Sequence, residues 1–167
     1  MNLIPVITLH RPWPALIALG LKTIETRRHN RFARLAGQWV IIHAAIKHEY
    51  DTPAGIAARF RKLTTWYEKS HEANEACFAV NRSGAMICAV HIESSRPLFA
   101  HDSNAALFDC SGGGLHGLII DRVELIPETP MATGRQGIWY TDHFAALAAV
   151  ERGIAIETPC GTAAERT

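Results

Sequence analysis

No apolar run in this chain of 167 residues approaches the length of a membrane-spanning helix, so no span is expected. Cysteine is scarce. Cys77, Cys88, Cys110 and Cys160 are widely and irregularly separated, and no two of them form a C-x-x-C. That spacing excludes the usual structural zinc motifs, and free thiols in a reducing cytosol are a simpler reading than disulfides. Nine histidines are present, but none belongs to an H-E-x-x-H motif. His43 and His48 are five apart, which suits neither one helix face nor one strand face. Neither metal nor cofactor is expected. A large net charge is missing too: at +1, the chain cannot coat a nucleic acid through bulk charge, and any such binding must come from a local patch. The opening MNLIPVITLHRPW has no basic stretch followed by a long apolar core, so no secretory leader is expected and the reading is cytoplasmic. There is no repeat and no low-complexity segment.

What is present belongs to a folded protein: 48% hydrophobic and 20% charged residues, in a length that suits one domain. Val6–Leu9 reads as a strand running into His10-Arg11-Pro12-Trp13-Pro14, whose prolines suit a turn and a helix start. A short helix over 14–19 is stopped by Gly20. Residues 22–27 have β-branched strand content, and 28–36 form a basic, irregular stretch. The run 38–45 is apolar on both faces and reads as a central strand. Thr52-Pro53 caps a helix to about 72, with Ile56, Phe60, Leu63 and Tyr67 on one stripe. Strands follow at 85–93, 115–126 and 136–140, with a short helix near 103–109. Thr141 or Asp142 caps a last helix through Arg152, and Gly153 ends it. Residues 1–156 are expected to be one domain, with a flexible tail at 157–167. Helices do not alternate regularly with strands, so an α+β architecture is expected, with a small, mostly antiparallel sheet or barrel and helices packed beside it.

The chemistry concentrates in Gly20-Leu-Lys22-Thr-Ile-Glu25-Thr-Arg27. Alternation puts Glu25 and Arg27 on one strand face and Lys22 on the other, unless the chain bulges after Gly20 or the strand starts only at Thr23. Arg28, Arg31 and Arg34 follow, giving five basic residues against one acid in 22–34. Arginine forks and a lysine point charge are suited to phosphates. His10 and Trp13 lie one short helix upstream, and an aromatic that stacks a base adds about 1–3 kcal/mol in single-strand binders. The plain alternatives are an intrastrand Glu–Arg ion pair worth under about 1 kcal/mol, a solvated basic loop, and Trp13 as a core plug. His91 and Glu93 share a face and form a further acid–base pair, or simply an exposed strand edge.

These residues resemble a known family. Gly20-x-Lys22-x-x-Glu25-x-Arg27 is similar to the G-x-K-x-x-E-x-R signature of the ASCH domain. Leu9-His10-Arg11-Pro12-Trp13 resembles its leading element, Ile42-His43-Ala44 the strand after the basic loop, and Gly137-Ile138-Trp139 its closing strand. The resemblance spans most of residues 6–140. It implies a PUA-like β-barrel with helices beside a cleft lined by Lys22, Glu25 and Arg27, and it makes residues 53–72 a helical insertion. It also implies a role in RNA metabolism, with RNA, single-stranded nucleic acid or a nucleotide as partner and no membrane. The nucleic-acid-binding residues would be His10, Trp13, Lys22, Arg27, Arg28 and His43. One branch of similar fold hydrolyses the amide of acetylated cytidine with a lysine, a threonine and a glutamate; here Lys22 matches, but Glu25 stands where that branch has threonine. Lys22 and Glu25 are accordingly the catalytic candidates of an alternative reading, a metal-independent amidohydrolase or ribonuclease. A protein-interaction scaffold is a second alternative.

Overall fold

The computed structural model describes residues 3–46 and 82–156. The expected helix at 53–72 and the tail from 157 lie outside them. Six strands make one sheet: β1 (Ile4–Leu9), β2 (Ile24–Arg27), β3 (Gln38–Ala44), β4 (Met86–Pro97), β5 (His116–Leu125) and β6 (Ile138–Thr141). Among the described residues three α-helices accompany it: α1 (Trp13–Ala18), α2 (Ser103–Ala106) and α3 (Phe144–Ala155). Single 3-10 turns lie at Ala33–Leu35 and Ala100–Asp102.

The strand order is β2-β5-β4-β3-β1-β6. Only β1 and β3 run parallel; the other neighbouring pairs are antiparallel. The α+β class and the mostly antiparallel sheet agree with the sequence reading. The barrel is not confirmed: among the described residues the sheet is open, with the four-residue strands β2 and β6 at its two ends. Closure would need β2 to pair with β6, and each already ends the order with one strand neighbour. Short end strands also present few unpaired backbone groups.

Both faces of the centre are buried, and the two-residue period of a strand sorts its side chains between them. On one face Ile7, Val40, Ile42, Val90, Ile92 and Leu118 pack with Ile17 of α1. On the other, Val6, Ile41 and Ala89 pack against Ala145, Ala146 and Ala149 of α3. This explains why β3 reads as apolar on both sides. α3 starts later and runs further than expected. His143 caps it, its Nδ1 accepting from the Ala145 N–H at 3.2 Å, and Gly153 lies within it. The reason for that glycine is contact rather than termination: a Cβ there would sit 2.1 Å from Cη2 of Trp39. β4 continues past Glu93 to Pro97 because two register shifts carry it along β5. Glu93 is therefore within a strand, not at the end of one.

Candidate functional site

The position of Lys22 follows from how α1 ends. Gly20 is left-handed, with φ +70°. Its N–H donates to Ile17 O at 2.9 Å, and that of Leu21 donates to Leu16 O at 2.9 Å. Together these make a complete Schellman stop, which needs a residue without a Cβ penalty at Gly20. The Lys22 N–H then donates to the same Leu16 carbonyl at 3.1 Å. The strand begins only at Ile24. Lys22 is thus outside the alternation and free to turn towards Glu25, which is the condition the sequence set.

Lys22 and Glu25 are buried, at 3% and 6% exposure. The Lys22 ammonium donates to Ala106 O at 2.5 Å, lies 3.8 Å from Glu25 Oε2, and sits 4.9 Å from the centre of the Trp13 ring. Burial pushes its proton affinity below the ordinary lysine range, and the Glu25 charge pulls the other way. Arg27 approaches Glu25 from the opposite side, with Nε 3.3 Å from Oε1. Its guanidinium carbon is 4.6 Å from the centre of the Phe32 ring. Yet among the described residues Nε and Nη2 of Arg27 are buried without a hydrogen-bond partner. These two nitrogens carry the N–H bonds of one side of the guanidinium fork, the side suited to bidentate acceptors. The result is a chain of charges, Lys22–Glu25–Arg27, with two donors left over. Buried donors in that state cost free energy.

The register fixes the face. Glu25 opposes Leu118 and Arg27 opposes His116, and directly opposed residues share a face. Leu118 belongs to the cluster under α1, so the triad lies on the α1 face. Trp13 is half-buried and packs against that same cluster, so it serves as part of the core as well as a wall for Lys22. His10 and Arg28 are exposed, as are Arg31 and Arg34.

His43 does not join them. It is fully buried, with its ring edge-on to Trp139 at 5.6 Å on the face that α3 covers. Its Nε2 donates to Ala132 O at 3.0 Å, and desolvation pushes its proton affinity down. This placement corrects the expectation that His43 lines the same cleft. The strand parity with Trp39 and Ile41 was readable in the sequence; which face carries the triad was not. His91 also opposes Trp39, bonds Asp121 through Nδ1 at 2.7 Å, and so lies away from Lys22. Among the described residues no group of three or more His, Cys, Asp or Glu is placed to hold a metal ion, and no helix is long and apolar enough to cross a membrane.

The sequence reading placed a short helix near 103–109 but missed that it holds Lys22 in place. Thr23 N–H donates to Ala105 O at 3.0 Å, so α2 receives both Thr23 and the Lys22 ammonium. The loop before α2 is pinned by Asp102, which accepts two bonds from Arg96, at 2.7 and 2.9 Å, and one from the Phe99 N–H at 2.9 Å. An acid three residues after Phe99 was the available signal, since it sits where a capping side chain belongs.

No protein-family model matches this chain, and no curated protein sequence matches it. Among solved structures it is similar to the crystal structure of ASCH from Zymomonas mobilis, at 11% sequence identity and a TM-score of 0.47, over 91% of this chain and 94% of that one. A likeness so distant decides nothing about the site.

Proposed function

We propose that this protein binds a nucleotide or RNA at the wall formed by Lys22, Glu25 and Arg27, as an ASCH-type domain acting in RNA metabolism. One observation carries the reading: among the described residues, the buried Nε and Nη2 of Arg27 find no hydrogen-bond acceptor, Nε having only the Glu25 carboxylate at an ion-pair distance of 3.3 Å. A phosphate or the acceptor edge of a base fills that need. Arg28, Arg31 and Arg34 are exposed on the following loop and extend the positive patch along a backbone, while His10 lies exposed on the approach to Trp13. Binding of a labelled oligoribonucleotide tests it. Arg27→Ala is expected to weaken affinity and to reduce the slope of log affinity against log salt by about one for each lost phosphate contact. An unchanged affinity and slope in both Arg27→Ala and Lys22→Ala would rule the reading out.

The second reading is a metal-independent hydrolase of RNA or of a modified nucleoside. It is favoured by the desolvated Lys22 amine 3.8 Å from a carboxylate. A lysine of lowered proton affinity gives up its proton more readily than an ordinary one, and the Glu25 carboxylate lies near enough to take or return it. Release of acetate from acetylated cytidine, lost in Lys22→Ala, is the expected sign. No turnover at high enzyme concentration would remove this reading and leave binding intact.

A further inference from the structure

Beyond the triad, one end of the sheet carries a second set of exposed groups. Arg27 at the end of β2 opposes His116 at the start of β5, and His116 opposes Pro97 at the end of β4. With neighbouring strands about 4.8 Å apart, this row spans about 10 Å. Two residues past Pro97, Phe99 is 58% exposed. Its ring stacks on that of His101 at 5.9 Å and 19° between planes, and the His101 side chain is 75% exposed. An exposed aromatic pair on a mobile loop would have little meaning, but this loop is fixed. Asp102 accepts from the Phe99 backbone and from both guanidinium arms of Arg96, and Ser103 Oγ ties Ala100 O to the Cys110 N–H. The acid beside the pair, Asp102, is engaged with Arg96 and lies 3.6 Å from His101 Nε2.

We infer that a single strand of RNA held at Lys22–Arg27 runs along the row Arg27, His116, Pro97 and stacks a further base on the Phe99–His101 pair. The inference rests on the RNA-binding reading above and adds a second contact to it. Every base has a π-face, so this outer contact is tolerant of sequence, while the Arg27 fork supplies the directional contact. A comparable pair elsewhere serves as the control. Phe144 stacks on His143 at 4.8 Å and 26° and is 67% exposed, but it follows β6 at the other end of the strand order, and His143 Nδ1 is committed to capping α3.

The test compares a labelled uridine trinucleotide with a heptanucleotide of the same sequence, on the full chain. The heptanucleotide is expected to bind at least about fivefold more tightly than the trinucleotide, as one added stacked base allows. Phe99→Ala is expected to abolish that advantage with the trinucleotide unaffected, Phe99→Tyr to retain it, and Phe144→Ala to leave both unchanged. A heptanucleotide advantage that survives Phe99→Ala, or no advantage in the wild type, overturns the inference while the triad reading stands. If neither oligonucleotide binds the wild type, the triad reading falls, and this inference with it.

Discussion

Two buried carboxylates, each beside an arginine, serve this molecule in different ways. Asp102 is saturated: two bonds from Arg96 and one from the Phe99 N–H, all at 2.7–2.9 Å. The Arg96 fork and the backbone donor hold its carboxyl well below the usual carboxylate range. Glu25 has two cations at ion-pair distances of 3.8 and 3.3 Å, and the nearer one keeps two buried N–H donors unbonded. The first arrangement closes a loop and leaves nothing for a ligand. The second leaves donors in place at the edge of the sheet. Burial alone does not distinguish the two pairs; the state of the arginine does.

The sharpest way to break this comparison is to remove each arginine and read both affinity and stability. Arg27→Ala is expected to lose about 1.5–3 kcal/mol of RNA binding, roughly 10- to 150-fold, as for hydrogen bonds to a charged partner. Its thermal midpoint is expected to change little. Arg96→Ala is expected to do the reverse, lowering the thermal midpoint and sparing the trinucleotide affinity. The two variants exchanging these outcomes would invert the assignment of anchor and site.

The next effect is on acid stability. The Asp102 carboxyl titrates lower in the folded state than in the unfolded one, so its contribution is present above the ordinary carboxylate range and is lost as the pH falls through its folded value. Thermal unfolding from neutral to strongly acid pH is expected to show a shallower acid loss in Asp102→Asn, which starts from a lower midpoint. Parallel curves for wild type and variant would show that Asp102 does not contribute in this way.

The smallest effect is alkaline. Lys22 binds its proton less well folded than unfolded, chiefly because of burial. The unfolded chain therefore holds the extra proton, and stability rises as the pH climbs from the folded value of Lys22 towards the ordinary lysine value. Lys22→Met keeps the volume and removes this term. Its stability is expected to vary less with pH on the alkaline side, as measured by denaturant midpoints. A variant that tracks the wild type there would mean Lys22 keeps its ordinary proton affinity.

Much of the frame was legible in the residues because its causes are local. Gly20 is a helix stop by its φ, and Pro12 and Pro14 sit where a helix start tolerates them. The β-branched run 38–44 forms a central strand because both its faces are covered. The proximity of Lys22 and Glu25 was legible only as a condition, since one residue of strand register decides it. What stayed hidden depends on distant contacts. Gly153 looks like a stop until the Trp39 ring is set against it. The parity of His43 was clear, but a strand apolar on both faces does not say which side the triad occupies. The open sheet depends on what the two end strands meet. The Arg96–Asp102 anchor joins a strand to a turn along a path no spacing rule encodes.

The central claim is that the unbonded guanidinium of Arg27 is a ligand site. Its most direct test is the salt dependence of uridine-trinucleotide binding by the wild type, Arg27→Ala and Arg96→Ala, measured side by side with their unfolding curves. The expected result is a weaker affinity and a slope reduced by about one in Arg27→Ala alone, with the fold intact. An affinity and slope in folded Arg27→Ala equal to those of the wild type would contradict the account.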